Sequence, residues 1–149
     1  MRIGIGYDSH PFAPGRRLVV GGVEIEHELG LAGHSDADVL THAAIDALLG
    51  AAGLGDLGTN FPPDEERWRD ADSLDLLRAV IGQLPTAVVN VDATVVCEAP
   101  AIGPHRPAME RNLSAALGAP VSVKATTNEG MGWIGRGEGI ACVAVALLA

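Results

Sequence analysis

Apolar and polar positions alternate from the first residues of the chain. Ile3, Ile5 and Tyr7 take the odd positions, with Arg2, Gly4 and Gly6 between them. A period of two predicts a strand, with Asp8 and His10 on one face just past its end. Leu18-Val19-Val20 and Val23-Glu24-Ile25 flank Gly21-Gly22, which predicts two short strands around a tight turn. After a Gly-punctuated loop over 28–35 the period lengthens. Val39, Leu40, Ala43, Ala44, Ala47 and Leu48 recur at helical spacing, predicting a helix from about Asp36 to Ala52 with Ser35 or Asp36 as its cap. Gly53 to Gly58 ends it and opens a long loop through Phe61-Pro62-Pro63-Asp64-Glu65-Glu66. That stretch is too polar and Pro-rich for regular structure, and its length marks a candidate lid.

A second helix is predicted over about Ser73 to Leu84, capped by Asp72-Ser73, with Leu74, Leu77, Ala79, Val80 and Ile81 as its apolar stripe. Every odd position from Ala87 to Cys97 is apolar, and Asn90, Asp92 and Thr94 fall between them, giving a strand with one polar face. A third helix follows from about His105 to Leu117, then a strand at Val121–Ala125 and a polar loop over Thr126–Gly130. Gly139 to Leu148 is apolar on both faces, as a central or interface strand would be. The order predicts one α/β domain over residues 1–149, an α+β two-layer arrangement with helices packed on one face of a mixed sheet. The other face needs cover, which a second copy of the chain would provide.

Composition narrows the partners. Ten basic against nineteen acidic residues leave a net charge of −9, which argues against nucleic-acid binding. An anionic substrate would then need a metal, backbone amides or local Arg and Lys. Aromatic residues are scarce, so Ala, Val, Leu and Ile must fill the core. Cys97 and Cys142 both lie in apolar runs and read as small buried hydrophobes. With no disulfide framework, no signal-peptide pattern and no apolar run long enough for a bilayer, a cytoplasmic protein without membrane contact is expected.

The candidate chemistry begins with Asp8, His10 and His42. A carboxylate and an imidazole on one strand face are suitable ligands for Zn²⁺ or a similar divalent ion, and His42, on the helix face of Asp38 and Asp46, is the candidate third. Two His and one Asp would leave the fourth tetrahedral position open, as catalytic sites do. Ordinary hydrogen-bonded histidines would show the same spacing. Lys124-Ala125-Thr126-Thr127-Asn128-Glu129 leaves a strand with hydroxyls, free amides and a carboxylate, fit either to hold phosphate and a cation or to form a capped turn. Gly135-Arg136-Gly137-Glu138-Gly139 lacks P-loop spacing and reads as a turn whose Arg and Glu pair with each other.

In their order these stretches resemble a known family. Gly-Tyr-Asp-Ser-His, Ala-Gly-His-Ser-Asp-Ala-Asp-Val-Leu-x-His, Asp-Ala-Leu-Leu-Gly-Ala, Gly-Asp-Leu-Gly, Asn-Val-Asp, Ala-Pro-x-Ile-x-Pro-His, Lys-Ala-Thr-Thr-x-Glu and Gly-Arg-Gly-Glu-Gly-Ile-Ala are similar to the motifs of the 2-C-methyl-D-erythritol 2,4-cyclodiphosphate synthases, from Met1 to Leu148. The resemblance implies a homotrimer with active sites between subunits, working in the non-mevalonate isoprenoid pathway. It converts 4-diphosphocytidyl-2-C-methyl-D-erythritol 2-phosphate to the cyclic diphosphate and CMP. Zinc ligands carry over to Asp8, His10 and His42, and a second ion, Mg²⁺ or Mn²⁺, to Glu129. Transition-state stabilisation falls to His34 and Thr127. Asp8, His10, Ser35, Asp56, Leu57, Gly58, Phe61, Thr126, Asn128 and Glu129 carry over as substrate contacts. So do the cytidine loop from Cys97 through Pro100, Ala101, Ile102 and Gly103, and Trp133 and Arg136. The chain departs from the commonest pattern at Pro63-Asp64-Glu65, at Ala101 in place of a frequent Lys, at Asn128 and Gly130, and at Trp133. Two other functions would draw on the same residues. A zinc-dependent phosphohydrolase would use Asp8, His10 and His42, and a trimeric module binding isoprenoid diphosphates would use Arg136 and Glu138.

Overall fold

The computed structural model describes residues 1–149. Its main sheet has five strands: β1 (Arg2–Ala13), β4 (Gly30–Leu31), β5 (Val88–Val96), β6 (Val121–Thr126) and β7 (Gly139–Leu148). They run in the order β4-β1-β7-β5-β6, with β5 and β6 parallel and the other pairs antiparallel. β2 (Leu18–Val20) and β3 (Val23–Ile25) form the separate hairpin expected around Gly21-Gly22. The register between β1 and β7 is unbroken from Arg2 opposite Leu148 to Pro11 opposite Gly139. One face of the sheet carries α1 (Val39–Ala52) over β1 and β7, with α3 (Ser73–Ile81) beside it and α4 (Arg106–Leu117) next to β6. No helix is long and apolar enough to cross a membrane.

The alternation in β1 faces the opposite way from a simple hydrophobic-inside pattern. Ile3, Ile5 and Tyr7 are exposed, at 72%, 71% and 56%, while Gly4 and Gly6 face α1. A Cβ at Gly6 would lie 2.0 Å from the Ala43 carbonyl oxygen, and one at Gly4 equally close to that of Ala47. Strand and helix therefore touch backbone to backbone, with α1 presenting Ala43, Ala47 and Ala51. Only Asp46 and Gly50 of α1 escape burial, so its sequence is apolar almost all round. The outer sheet face carries Ile3, Ile5, Tyr7 and Val143 exposed together, matching the expectation of helices on one face only.

Several boundaries differ from the sequence pattern. β1 does not stop before Asp8: it keeps pairing through Pro11 with β7 and through Phe12 with β4, so Asp8 and His10 lie inside the strand. The first helix starts at Val39, because Ala37 sits at φ 57° and turns the chain there. Its cap is Asp38, not Ser35 or Asp36, and Asp38 is therefore not on the helix face of His42 and Asp46. The Asp38 carboxylate accepts from Thr41 N at 3.0 Å and Thr41 Oγ1 at 2.8 Å, and from Gly21 N and Gly22 N at 2.8 and 2.7 Å. One buried side chain thus starts α1 and fastens the β2–β3 turn to it. Burial, then the neighbouring Asp36 charge, push its pKa up against those donors.

The lid candidate contains two short regular pieces that propensity did not predict, α2 (Leu57–Asn60) and a 3₁₀ turn at Glu66–Trp68. α5 (Gly132–Gly135) is likewise absent from the sequence reading. In α3 the inward residues are Leu76, Leu77 and Val80, whereas Ala79 is exposed. A bulge at Val89 interrupts the alternation of β5, leaving Val89 and Asn90 both exposed. α4 covers the free edge of β6: Glu110 Oε1 and Ser114 Oγ accept from Val123 N and Val121 N.

Candidate functional site

β1 places Asp8 and His10 on the helix side of the sheet, and α1 brings His42 over them from its first turn. Asp8 Oδ2 lies 2.9 Å from His10 Nε2 and 3.2 Å from His42 Nδ1, and the two imidazole nitrogens are 3.3 Å apart. These three residues form a group that could hold a metal ion. A tetrahedron with metal–ligand bonds of about 2.05 Å has edges of about 3.3 Å, so the observed triangle is close to one face of a zinc site. The donor chemistry agrees. His10 Nδ1 donates to the Ala32 carbonyl at 2.8 Å, an acceptor with no hydrogen to give, so the proton His10 can lose is the one on Nε2.

The electrostatics of the group favour a cation. Burial alone would raise the Asp8 pKa, but hydrogen bonds with His10 and His42 outweigh it and hold the carboxyl well below the usual range. For His10, burial acts to lower the value, and the Asp8 carboxylate more than offsets it, leaving the imidazole raised. Positive charge, whether proton or metal, is thus stabilised beside Asp8.

The triangle forms one wall of a cavity of about 210 Å³, which His34 and Ser35 also line. Its other wall is apolar: Leu57 and Gly58 of α2, Phe61, Pro63, Trp68 and Leu76. Asp46, one turn beyond His42, accepts from Leu57 N at 2.7 Å and so fixes the start of α2 over the cavity. Phe61 meets Trp68 edge to face with centroids 5.0 Å apart, and the Arg67 guanidinium lies 4.5 Å above the indole. His34 Nε2 donates to the Glu65 carbonyl at 3.2 Å, tying the long loop to the polar wall. Asp56 does not line the cavity. It is exposed and caps α2 through Thr59 N at 2.7 Å, and those contacts with Thr59 lower its pKa.

The remaining candidates gather elsewhere, where the loops after β5 and β6 meet. Cys97 N donates to the Thr126 carbonyl, and Glu98 Oε1 accepts from Asn128 N at 2.7 Å and Gly130 N at 3.4 Å. This holds Glu129 at φ 52°, with Thr127 Oγ1 donating to its carboxylate at 3.3 Å. Asn128 Nδ2 is engaged by the Met131 carbonyl. Cys97 and Ile102 belong to the core, while Ala101 and Gly103 are exposed and the Ala99–Pro100 bond is cis. Burial pushes the Cys97 thiol up to about 11. Arg136 and Glu138 pair at 2.6 Å, as their spacing predicts. Trp133 borders a second hollow with Ser9, His10, Pro11 and Glu138.

Within this chain the two groups stay apart. Ser9 stands opposite Ala141, Ala141 opposite Val96, and Val96 opposite Thr126. Three strand spacings, about 14 Å, therefore separate the Asp8–His10 end of the triangle from the Thr126–Glu129 loop. Sequence reasoning missed Trp68 and Leu76 as cavity residues. The signal was available for Trp68, a second large aromatic seven residues after Phe61 in a polar loop of a chain otherwise poor in aromatics.

Residues 1–149 match the family model described as the YgbB family. The 2-C-methyl-D-erythritol 2,4-cyclodiphosphate synthase of Symbiobacterium thermophilum is 60% identical over 155 residues, covering 100% of this chain and 99% of that protein. Among solved structures, the bifunctional IspDF from Campylobacter jejuni superposes with a TM-score of 0.92 at 37% identity, covering 97% of this chain, which spans 41% of that longer one. A 2C-methyl-D-erythritol-2,4-cyclodiphosphate synthase in a CDP-bound form gives a TM-score of 0.90 at 34% identity, covering 99% and 100% of the two chains.

Proposed function

From the premise that this chain belongs to the YgbB family, the 2-C-methyl-D-erythritol 2,4-cyclodiphosphate synthases, we propose that it catalyses the family's ring closure as a single 1–149 domain. The substrate is 4-diphosphocytidyl-2-C-methyl-D-erythritol 2-phosphate. An oxygen of its 2-phosphate forms a bond to the β-phosphorus, the bond from that phosphorus to the bridging oxygen breaks, and CMP leaves with the electron pair. No water is consumed and no covalent residue is needed.

The observation that carries this is the convergence of Asp8 Oδ2, His10 Nε2 and His42 Nδ1 on a cavity with one polar and one apolar wall. The triad would hold Zn²⁺, which when bound supplies Lewis-acid polarisation of the β-phosphate. Glu129 would hold Mg²⁺ or Mn²⁺, whose contribution is neutralisation of charge on the α- and β-oxygens. Leu57, Phe61, Trp68 and Leu76 would take the apolar face of the methylerythritol, with Gly58 leaving room for its hydroxyls. His34 and Ser35 stand beside the triad, where they can donate to phosphate oxygens. Thr126, Thr127 and the amides near Glu129 would bind the diphosphate, and 97–103 the cytidine. Clamping both ends of one flexible molecule turns ring closure into a problem of effective molarity, which positioning solves.

A separation of about 14 Å within one subunit supports the further reading that each site is completed by a neighbour in a homotrimer. The exposed Ile3, Ile5, Tyr7 and Val143 supply an apolar face for that association. A cytoplasmic setting fits the two buried free thiols. ³¹P NMR of purified protein with the substrate and Mg²⁺ tests the chemistry. Cyclic diphosphate plus CMP, abolished by a zinc chelator, is expected. Linear phosphates carrying solvent oxygen would instead establish a phosphohydrolase.

A further inference from the structure

Behind the metal triangle lies a second layer of hydrogen bonds that the ligand assignment does not use. His42 is 4% exposed and presents Nδ1 to Asp8 and His10. Its other nitrogen, Nε2, lies 2.8 Å from Ser73 Oγ and 3.1 Å from Ser35 Oγ. Ser73 is fully buried at the first position of α3, and its hydroxyl donates in a short hydrogen bond to Asp36 Oδ1. The Asp36 carboxylate also accepts from Ser73 N at 3.0 Å and Asp38 N at 3.2 Å.

The direction of these bonds is forced. A carboxylate only accepts, so Ser73 must spend its single hydroxyl proton on Asp36. Toward His42, Ser73 Oγ can then act only as an acceptor, and Nε2 must carry the hydrogen. Ser35 Oγ already accepts from Ala37 N at 3.3 Å and can share that same Nε2 hydrogen. Neutral His42 therefore keeps its proton on Nε2 and its lone pair on Nδ1, toward the ligand position. The alternative tautomer would aim an N–H into the triangle and leave two buried lone pairs, on Nε2 and Ser73, facing each other.

We infer that Asp36 and Ser73 are positioning residues that fix the tautomer and ring orientation of His42, so that a buried serine and a partly buried carboxylate outside the cavity prepare the third metal ligand. The arrangement mirrors that of His10, whose Nδ1 is fixed by the Ala32 carbonyl. It also explains why Asp36 is not the cap of α1: the residue is committed to the start of α3. The inference rests on reading Asp8, His10 and His42 as metal ligands. It adds a role for two residues that touch neither the metal position nor the cavity.

The test uses zinc affinity and a spectroscopic readout, neither of which requires turnover. Competition with a chromogenic chelator is expected to show Ser73→Ala binding zinc about 10–100-fold more weakly than wild type. Ser35→Ala, which leaves the Asp36–Ser73 chain in place, should lose less zinc affinity than Ser73→Ala. In metal-free wild-type protein, long-range ¹H–¹⁵N spectra should show His42 protonated at Nε2, and in Ser73→Ala a mixture of tautomers. Unchanged zinc affinity in a folded Ser73→Ala, a larger loss in Ser35→Ala, or an Nδ1-protonated His42 in the wild type would each overturn the inference. The wild-type spectrum decides the matter even if Ser73→Ala does not fold. A wild type that binds no zinc would refute the ligand reading itself and this inference with it.

Discussion

Replacing Gly6 with Ala should damage the metal centre from outside it. The added Cβ would lie 2.0 Å from the Ala43 carbonyl oxygen and 2.6 Å from Ala47 N, both backbone atoms of α1. Ordinary contact begins near 3.4 Å, so the helix must retreat by about 1.4 Å or the strand must buckle by as much. His42 immediately precedes Ala43. A rigid retreat would stretch its 3.2 Å and 3.3 Å separations from Asp8 and His10 toward about 4.6 Å, beyond the roughly 3.3 Å edge of a zinc tetrahedron. Overpacking of this kind costs about 1–3 kcal/mol, or roughly 2–12 °C in melting temperature for a chain of this size. A misplacement of about 1 Å in a preorganised site costs roughly 100-fold in rate. Gly50→Ala is the matched control. Its Cβ would meet only the Ile5 carbonyl oxygen, at 3.9 Å, and Ala in the middle of the same helix should stabilise by about 0.5–1 kcal/mol. Calorimetric melts with and without zinc, together with chelator competition, measure both variants. If Gly6→Ala melts with the wild type and keeps its zinc affinity, the backbone contact between β1 and α1 does not seat His42.

Three further outcomes follow from the same geometry. The raised His10 contributes stability that is full below its ordinary value of 6.5 and fades as pH rises through the folded value; the lowered Asp8 contributes above 3.8 and loses it as pH falls. Thermal melts of metal-free protein should therefore peak between about pH 4 and pH 6.5, and a steady rise to pH 8 would contradict the assigned pair. Mixing inactive His42→Ala and Glu129→Ala subunits, refolded together in equal amounts, should restore about a quarter of wild-type activity, since each mixed trimer contains one site with both halves intact; no recovery would mean that each subunit works alone. Cys97, held near 11 against an ordinary 9.0, should react with iodoacetamide about 100-fold more slowly than an exposed thiol, as mass spectrometry of the native protein would show.

The elements with a strong period could be read directly from the chain. β7, the β2–β3 hairpin and the interior of α1 follow from apolar spacing, and the grouping of Asp8, His10 and His42 from residue types at matching faces. What escaped the pattern was set by tertiary contact. Gly4 and Gly6 look like gaps in a strand, yet they are its buried face, because the neighbour is helix backbone rather than side chains. The cap of α1 passed from Asp36 to Asp38 because Ser73, 37 residues away, recruits the Asp36 carboxylate. α2 is a single turn whose only local signal is the Asp56 cap, and Asp46, from α1, holds its Leu57 N. Trp68 reaches the cavity only once the long loop folds back, and Leu76 only once α3 packs beside α1.

The pairing of β1 with β7 has a consequence for how the chain is made. The strand bearing Asp8 and His10 is synthesised well before its hydrogen-bonding partner from Gly139 to Leu148. At about 5–20 residues per second, the roughly 125 residues between them take on the order of 6–25 s to synthesise. Throughout that interval β1 has no sheet neighbour on the β7 side, and its Ile3, Ile5 and Tyr7 row stays open to other nascent chains. Closure of the sheet on that side of β1 thus waits until Leu148 has been made, and the strand bearing Asp8 and His10 must stay unpaired there in the meantime.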